Sequence, residues 1–445
     1  MLTETSLETL PENLLANQTN LRKLHLYNNR LRTLSGNTFR NLQNLESLQI
    51  YGNQLAEWNS PTKRLPKLQE LLLASNKLTI IKADFSNTIP NLRNLDLRSN
   101  NIFHISSGAF NFEGELDDLN LSHNNLTDDP DVVTFVNQMR RVVRINLAYN
   151  SYENFPDGME LKTSRLNMAY NKIKTLDLSY VMNFKESNFS HNAIETITFG
   201  FIPQILQALS SETPEKSRID INGNPLNCDC SIFELMRYFD GTYSNKDIYL
   251  RISLDGAVRC HSPSTLAGRD LRNFKSQTFT CDYSNVYVCP EKCSCEMYPY
   301  YHSFNVTCSS RNLSKPPIIP EFRVATYDNS MFTINKLVID LSNNSIQNFT
   351  KRDSSYANAS ELNLSNNGLD LVDWLPPRLE VLRLNDNKLG NLGYNAIMAV
   401  NYSRHLSLLT LHDNLWDCNC KLLNFTKLVK DQHWKIPFED KVLCT

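Results

Sequence analysis

The sequence predicts an α/β solenoid. Short parallel strands stack coil on coil into a sheet on a concave face, in two modules with disulfide-bonded caps. Two observations predict it. One phrase of leucines and an asparagine recurs along the 445 residues at a nearly constant interval. Eleven cysteines fall in three clusters and nowhere else. A third observation narrows the function. The net charge of −2 offers no basic bias for phosphates, which argues against a general nucleic-acid binder.

The phrase is explicit in "LRKLHLYNNRL", where Leu21, Leu24, Leu26, Asn29 and Leu31 take fixed offsets. "LESLQIYGNQL" repeats it with Leu45, Leu48, Ile50, Asn53 and Leu55. Further copies carry Asn76, Asn100 and Asn124; weaker ones carry Asn150, Asn171, Asn192 and Asn224. The pattern resumes at Asn344, Asn367, Asn387 and Asn414. This is the leucine-rich-repeat signature, with an early spacing of 23–24 residues. The spacing shortens near Asn171 and Asn192, where Ser187 replaces an expected leucine. Ser210–Ser217, "SSETPEKS", reads as a polar surface loop.

Each element has a physical reason. In Leu-x-Leu two apolar residues alternate with an outward one, the period of a strand. The asparagine stands where the chain leaves the strand, and its amide both donates to and accepts from backbone groups that the turn would strand in the core. Each coil buries its apolar face on its neighbours. Phe39, Phe85, Phe110 and Phe135 recur about ten residues after the asparagine, and read as plugs for the outer arc.

The cysteine clusters are Cys228, Cys230, Cys260, Cys281; Cys289, Cys293, Cys295, Cys308; and Cys418, Cys420, Cys444. Cys-x-Cys is tighter than structural zinc spacing, so disulfides in an oxidising compartment are expected, and no metal or cofactor. Asn-x-Ser/Thr sequons start at Asn17, Asn120, Asn125, Asn188, Asn305, Asn312, Asn343, Asn348, Asn358, Asn363, Asn401 and Asn424. Their density beside paired cysteines supports a secreted glycoprotein. "MLTETSLETLPENLL" has neither the basic nor the apolar region of a leader, and no apolar run approaches the roughly 18 residues of a membrane span. The expectation is a piece of a longer chain.

Solenoid ends need lids. Residues 1–227 read as the first stack, without an opening cap, and 228–281 as its closing cap, with "SIFELMRYF" a helix across the open end. Residues 282–330 read as a short linker, Asp282–Val288, and an opening cap around "CPEKCSC". Residues 331–417 are a shorter second stack, and 418–445 its closing cap. Seven linker residues are too few for free rotation, so a limited range of angles is expected. Four cysteines admit three pairings; a Cys228–Cys230 bond is disfavoured because one intervening residue closes a strained ring.

A long stack, a closing cap, an adjacent "CPxxCxC" opening cap, a short stack and a second closing cap resemble the ectodomain of insect Toll receptors. The resemblance implies a single-pass type I receptor at the cell surface, anchored by a span outside this chain. It implies a Spätzle-like cystine-knot ligand, a receptor homodimer on activation, and innate immune or developmental signalling through an intracellular domain. It also implies first-to-third and second-to-fourth pairing: Cys228–Cys260, Cys230–Cys281, Cys289–Cys295, Cys293–Cys308 and Cys418–Cys444, with the partner of Cys420 expected beyond Thr445.

No HExxH, nucleophile elbow or P-loop is present, so a binding protein rather than an enzyme is expected. Asp128–Asp131 reads as a solvated loop without the alternating oxygen ligands of a Ca²⁺ site. His123 and His191, each in "SHN", read as exposed turn residues. The candidate ligand surface is Tyr27 and Tyr51 in one outward column with His25 and Gln49 in the next, because adjacent exposed tyrosines combine contact area with a polar tip. Asn120, Asn188 and Asn363 face the same side, so a partner is expected away from them. The alternative function is a secreted or adhesive repeat scaffold of the Slit kind, which alternates caps with more uniform short modules.

Overall fold

The computed structural model describes residues 2–128, 139, 141–156, 164–181, 184–198, 217–240, 252–284, 289–319, 324–327, 330–350, 354–417, 423–437 and 442. The chain divides into two compact units. One comprises Met1–Cys228 and Glu234–Phe274, the other Asp229–Phe233 and Lys275–Thr445.

The first unit carries a ten-stranded sheet running from Lys23–His25 and Ser47–Gln49 to Ser217–Asp220 and Ile252–Asp255. Every pairing in it is parallel and in continuous register, so Leu24 lies opposite Leu48, Leu48 opposite Leu71, and Leu71 opposite Leu95. The Leu-x-Leu pattern explains this directly: Leu24, Leu26, Leu48 and Ile50 are buried while His25 and Gln49 between them face outward. The α/β leucine-rich-repeat solenoid is therefore the fold of this chain.

The asparagines bind each coil to the one before it. Asn53 Oδ1 accepts from Leu31 N–H at 3.0 Å, and its Nδ2 donates to Leu26 and Ile50 carbonyls at 2.9 Å. The same three bonds recur at Asn76, Asn100 and Asn124. Asn29 makes them to Thr5, Leu7 and Leu2, so residues 2–7 complete a partial coil that the leucine pattern alone did not reveal. Each such bond contributes about 1 kcal/mol net, and an orphaned buried group costs about 1–3 kcal/mol.

The outer arc is plugged by a chain of rings. Phe39, Trp58, Phe85 and Phe110 follow one another at centroid distances of 6.1, 6.1 and 5.9 Å. Trp58 fills the coil between Phe39 and Phe85; Phe135 lies outside the described residues. Where the spacing shortens, the convex side closes with paired strands, Thr175–Asp177 against Thr196–Thr198. Ser187 occupies the leucine row between Leu166 and Ile219, buried, with its hydroxyl unpartnered. Ser217, the end of the expected loop, is instead a buried strand residue whose hydroxyl donates to Phe184 carbonyl at 2.6 Å. The rest of that loop lies outside the described residues.

Among the described residues there are four disulfides: Cys228–Cys260, Cys230–Cys281, Cys289–Cys295 and Cys293–Cys308. Asp229 caps the short 3-10 turn Cys230–Ile232, accepting from Ser231 N–H at 2.8 Å, and the helix Phe233–Phe239 follows. Ile232, Phe233, Leu235 and Met236 are buried, whereas Phe239 is exposed, against the apolar pattern that grouped it with them. Cys418, Cys420 and Cys444 lie outside the described residues.

The second unit carries a seven-stranded sheet. It opens antiparallel, Cys281–Asp282 against Ser294–Tyr298 and that against Ser303–Thr307, then continues parallel through Lys336–Asp340 to Leu408–Thr410. Asp282, expected in a linker, is thus a strand residue, and Tyr283 beside it is buried against Phe304 at 5.5 Å. Asn344 Nδ2 donates to Cys308 carbonyl at 2.9 Å, tying the cysteine-bonded hairpin to the repeats. Asn367, Asn387 and Asn414 continue the series. Trp416 and Phe425, stacked at 4.3 Å, pack inside the last coil and the helix Leu423–Asp431.

Candidate functional site: the concave face of the first unit

Outward residues of successive strands form columns because the register is unbroken. His25 lies opposite Gln49. Two residues on, Tyr27 and Tyr51 stack with centroids 4.6 Å apart and planes 5° from parallel. The stacking leaves them half-buried rather than fully exposed. Burial, then the neighbouring Tyr27 and Glu4, raises the Tyr51 hydroxyl above its ordinary pKa. His25 tilts against Tyr27 at 6.0 Å, and both its ring nitrogens are buried without a partner. Gln49 is not free: its Nε2 donates to Glu70 at 3.1 Å, and Ser47 donates to the same carboxylate. The structure therefore brings His25, Tyr27 and Tyr51 together and ties Gln49 to its neighbour.

Further along, the face turns polar. Asp118, Arg144, Arg165, Glu186 and Arg218 stand opposite one another in register. Arg144 bonds Asp118, while Arg165 (2.8 Å) and Arg218 both bond Glu186. Exposed pairs of this kind contribute little stability, about 0–1 kcal/mol each. Beside them runs a column of Asn120, Asn146, Asn167 and Asn188. Each Oδ1 accepts the backbone N–H two residues on, at 2.9–3.1 Å. Together these residues line a depression of about 520 Å³.

A second ring stack follows the strand ends, which sequence reading missed. His123, Tyr149, Tyr170 and His191 lie in consecutive coils, with centroids 4.1, 4.3 and 4.4 Å apart and planes within 13° of parallel. All four adopt φ of 53–56°, the left-handed region, where other coils place Asn28, Gly52, Ser75, Ser99 or Gly223. A side chain there costs about 1–2 kcal/mol. Tyr149 and Tyr170 are nevertheless 42% exposed, and both histidines are exposed. Gly223 ends the row; a Cβ there would come 2.7 Å from the His191 ring, which would have to shift. The signal was present as "SHN", "AYN", "AYN", "SHN", the residue before each ladder asparagine.

The sequons differ in setting. Asn17, Asn125, Asn312, Asn343, Asn348, Asn358 and Asn401 are exposed. Asn120, Asn188 and Asn363 end concave strands, and Asn305 lies inside a strand with its Oδ1 buried and unpartnered. Asn424 lies in a helix. Asp128 caps a turn, accepting from Glu153 and Asn154; Asp129–Asp131 lie outside the described residues. Among the described residues, no group of three or more His, Cys, Asp or Glu could hold a metal ion, and no helix is long and apolar enough to cross a membrane.

The leucine rich repeat family model matches residues 1–55 and 66–126. The protein toll of Drosophila melanogaster is 26% identical over 235 residues, 51% of this chain and 21% of that protein. The chain is similar to Toll. Its fold is that of Toll in the solved Toll–Spatzle complex: TM-score 0.81, 24% identity, 99% of this chain and 58% of that chain. The glycosylated form of the same complex gives 0.76 at the same identity and coverage. This chain thus spans about a fifth of the Toll protein and somewhat over half of the solved Toll chain.

Proposed function

We propose that this chain is the ligand-binding extracellular region of a Toll-type receptor. In this reading it recognises a Spätzle-like cystine-knot protein and dimerises at the cell surface, where a span elsewhere in the single-pass type I receptor anchors it. The output is innate immune or developmental signalling. The observation that carries the reading is the match of fold through both stacks to Toll in its solved complex with Spatzle. The ring cluster His25, Tyr27 and Tyr51 supplies the contact, since stacked half-buried tyrosines present area without further loss of side-chain freedom.

The test is direct binding of the secreted, disulfide-bonded protein to recombinant Spätzle-like cystine-knot proteins by surface plasmon resonance. Tyr27→Ala with Tyr51→Ala should weaken binding by about tenfold or more. Unchanged affinity in the folded double variant removes the patch from the contact. No binding by the wild-type protein to any member of the ligand class rejects the reading.

A further inference from the structure

We propose that the middle of the concave face is a seat for the chain's own N-linked glycans, carried by Asn120 and Asn188, with the His123–Tyr149–Tyr170–His191 stack as its wall. The inference rests on the extracellular reading above but not on the identity of any protein ligand.

Three observations carry it. The sequons "NLSHN" and "NFSHN" belong to the first and last coils of the ring stack, so the two attachment points bracket it. In both, the amide orientation is set: Oδ1 is held by Ser122 N–H at 3.1 Å and Ser122 Oγ–H at 2.7 Å, or by Ser190 N–H at 2.9 Å. The nitrogen that would bear the sugar is the group left over, and both asparagines line the depression of about 520 Å³, within the usual range for a seated ligand. The wall has the chemistry a sugar needs. Arg144, Asn146, Asn167 and Asp220 line the depression and offer donors and acceptors to hydroxyls, and the rings stand three residues after Asn120, Asn146, Asn167 and Asn188 in the same coils.

Attachment precedes folding. Asn Nδ2 forms a bond to C1 of an oligosaccharide carried on a lipid diphosphate, the C1–O bond to the diphosphate breaks, and one Nδ2 proton is lost as the lipid diphosphate leaves. On folding, the first sugars settle along the rings, which closes this part of the face and leaves the coils of His25–Tyr51 open to a protein partner.

The experiment is site-resolved glycopeptide mass spectrometry on the protein secreted from insect cells behind a cleavable leader. It is followed by timed treatment of native and denatured protein with an amidase that cuts the sugar–asparagine linkage. Glycans at Asn120 and Asn188 should be released about tenfold more slowly from native protein than those at the exposed Asn17 and Asn401, because release requires local opening. Denaturation should abolish the difference. Tyr149→Ser with Tyr170→Ser should abolish it in native protein; serine already stands in this position as Ser75 and Ser99, so the fold accepts it. Bare Asn120 and Asn188 beside an occupied Asn17 overturn the proposal, as does equal native release at all four sites. Protection that survives the tyrosine substitutions overturns the ring stack as the wall. A chain bare at every sequon overturns the extracellular reading together with this proposal.

Discussion

Replacing Asn100 with alanine isolates the bond set that joins the coils. Asn100 is 6% exposed; its Oδ1 accepts from Leu78 N–H at 3.0 Å, and its Nδ2 donates to Leu73 and Leu97 carbonyls at 3.1 and 2.9 Å. Alanine removes all three bonds and supplies no replacement. At about 1 kcal/mol net per bond the loss is about 3 kcal/mol, and the orphaned Leu78 N–H makes this a lower bound. For a unit of this size, that corresponds to a fall in Tm of about 6–12 °C. The neighbouring Asn101 is exposed, and Asn101→Ala should change stability by less than about 0.5 kcal/mol. Urea unfolding followed by far-ultraviolet circular dichroism measures both. A loss under about 1 kcal/mol for Asn100→Ala, or equal losses for the two variants, refutes the assignment of coil cohesion to the asparagine ladder.

Ser187→Val should raise the urea midpoint, since it removes a buried unpartnered hydroxyl worth about 1–3 kcal/mol and restores an apolar row; a lower midpoint would mean the pocket is already full. Cys230→Ala with Cys281→Ala opens a separation of 51 residues and should cost about 4 kcal/mol, against about 2 kcal/mol for Cys289→Ala with Cys295→Ala at 6; equal losses on thermal unfolding count against the chain-entropy account. Asp270 is held at a pKa of about 2, first by the hydrogen bond from the Arg272 side chain, below the ordinary carboxylate value of about 3.9. A depressed folded-state pKa stabilises above the unfolded value. Wild-type protein should therefore exceed Asp270→Asn in stability at pH 5, converge with it between about pH 4 and 2, and match it below; a gap unchanged at pH 2 rejects this.

The repeat was legible because one side-chain type has one geometric job. Leu24 and Leu26 must be apolar and two apart, and Asn29 must carry both a donor and an acceptor, so the pattern survives in the letters. The outer arc was less legible because it needs only volume: Trp58 serves where phenylalanine stands in other coils, and no fixed letter announces it. Gln49 read as an outward contact residue, yet Glu70 one coil away claims it, a pairing that depends on register rather than on local sequence. The second ring stack was missed for a related reason. Its members are 21–26 residues apart at irregular intervals, and only the continuous ladder sets them face to face.

The asparagine ladder reaches one coil back and no further: Asn76 touches the coil of Ile50, and Asn100 that of Leu73. A whole coil could accordingly be duplicated or deleted without asking any remaining asparagine for a new kind of partner. Such a change would add or remove one member of every surface column and move the residues on either side of it apart or together by one strand spacing, about 4.8 Å, while the interior stayed the same. Solenoids on this plan can lengthen, shorten or re-space their surface columns in whole-coil steps without reworking the core.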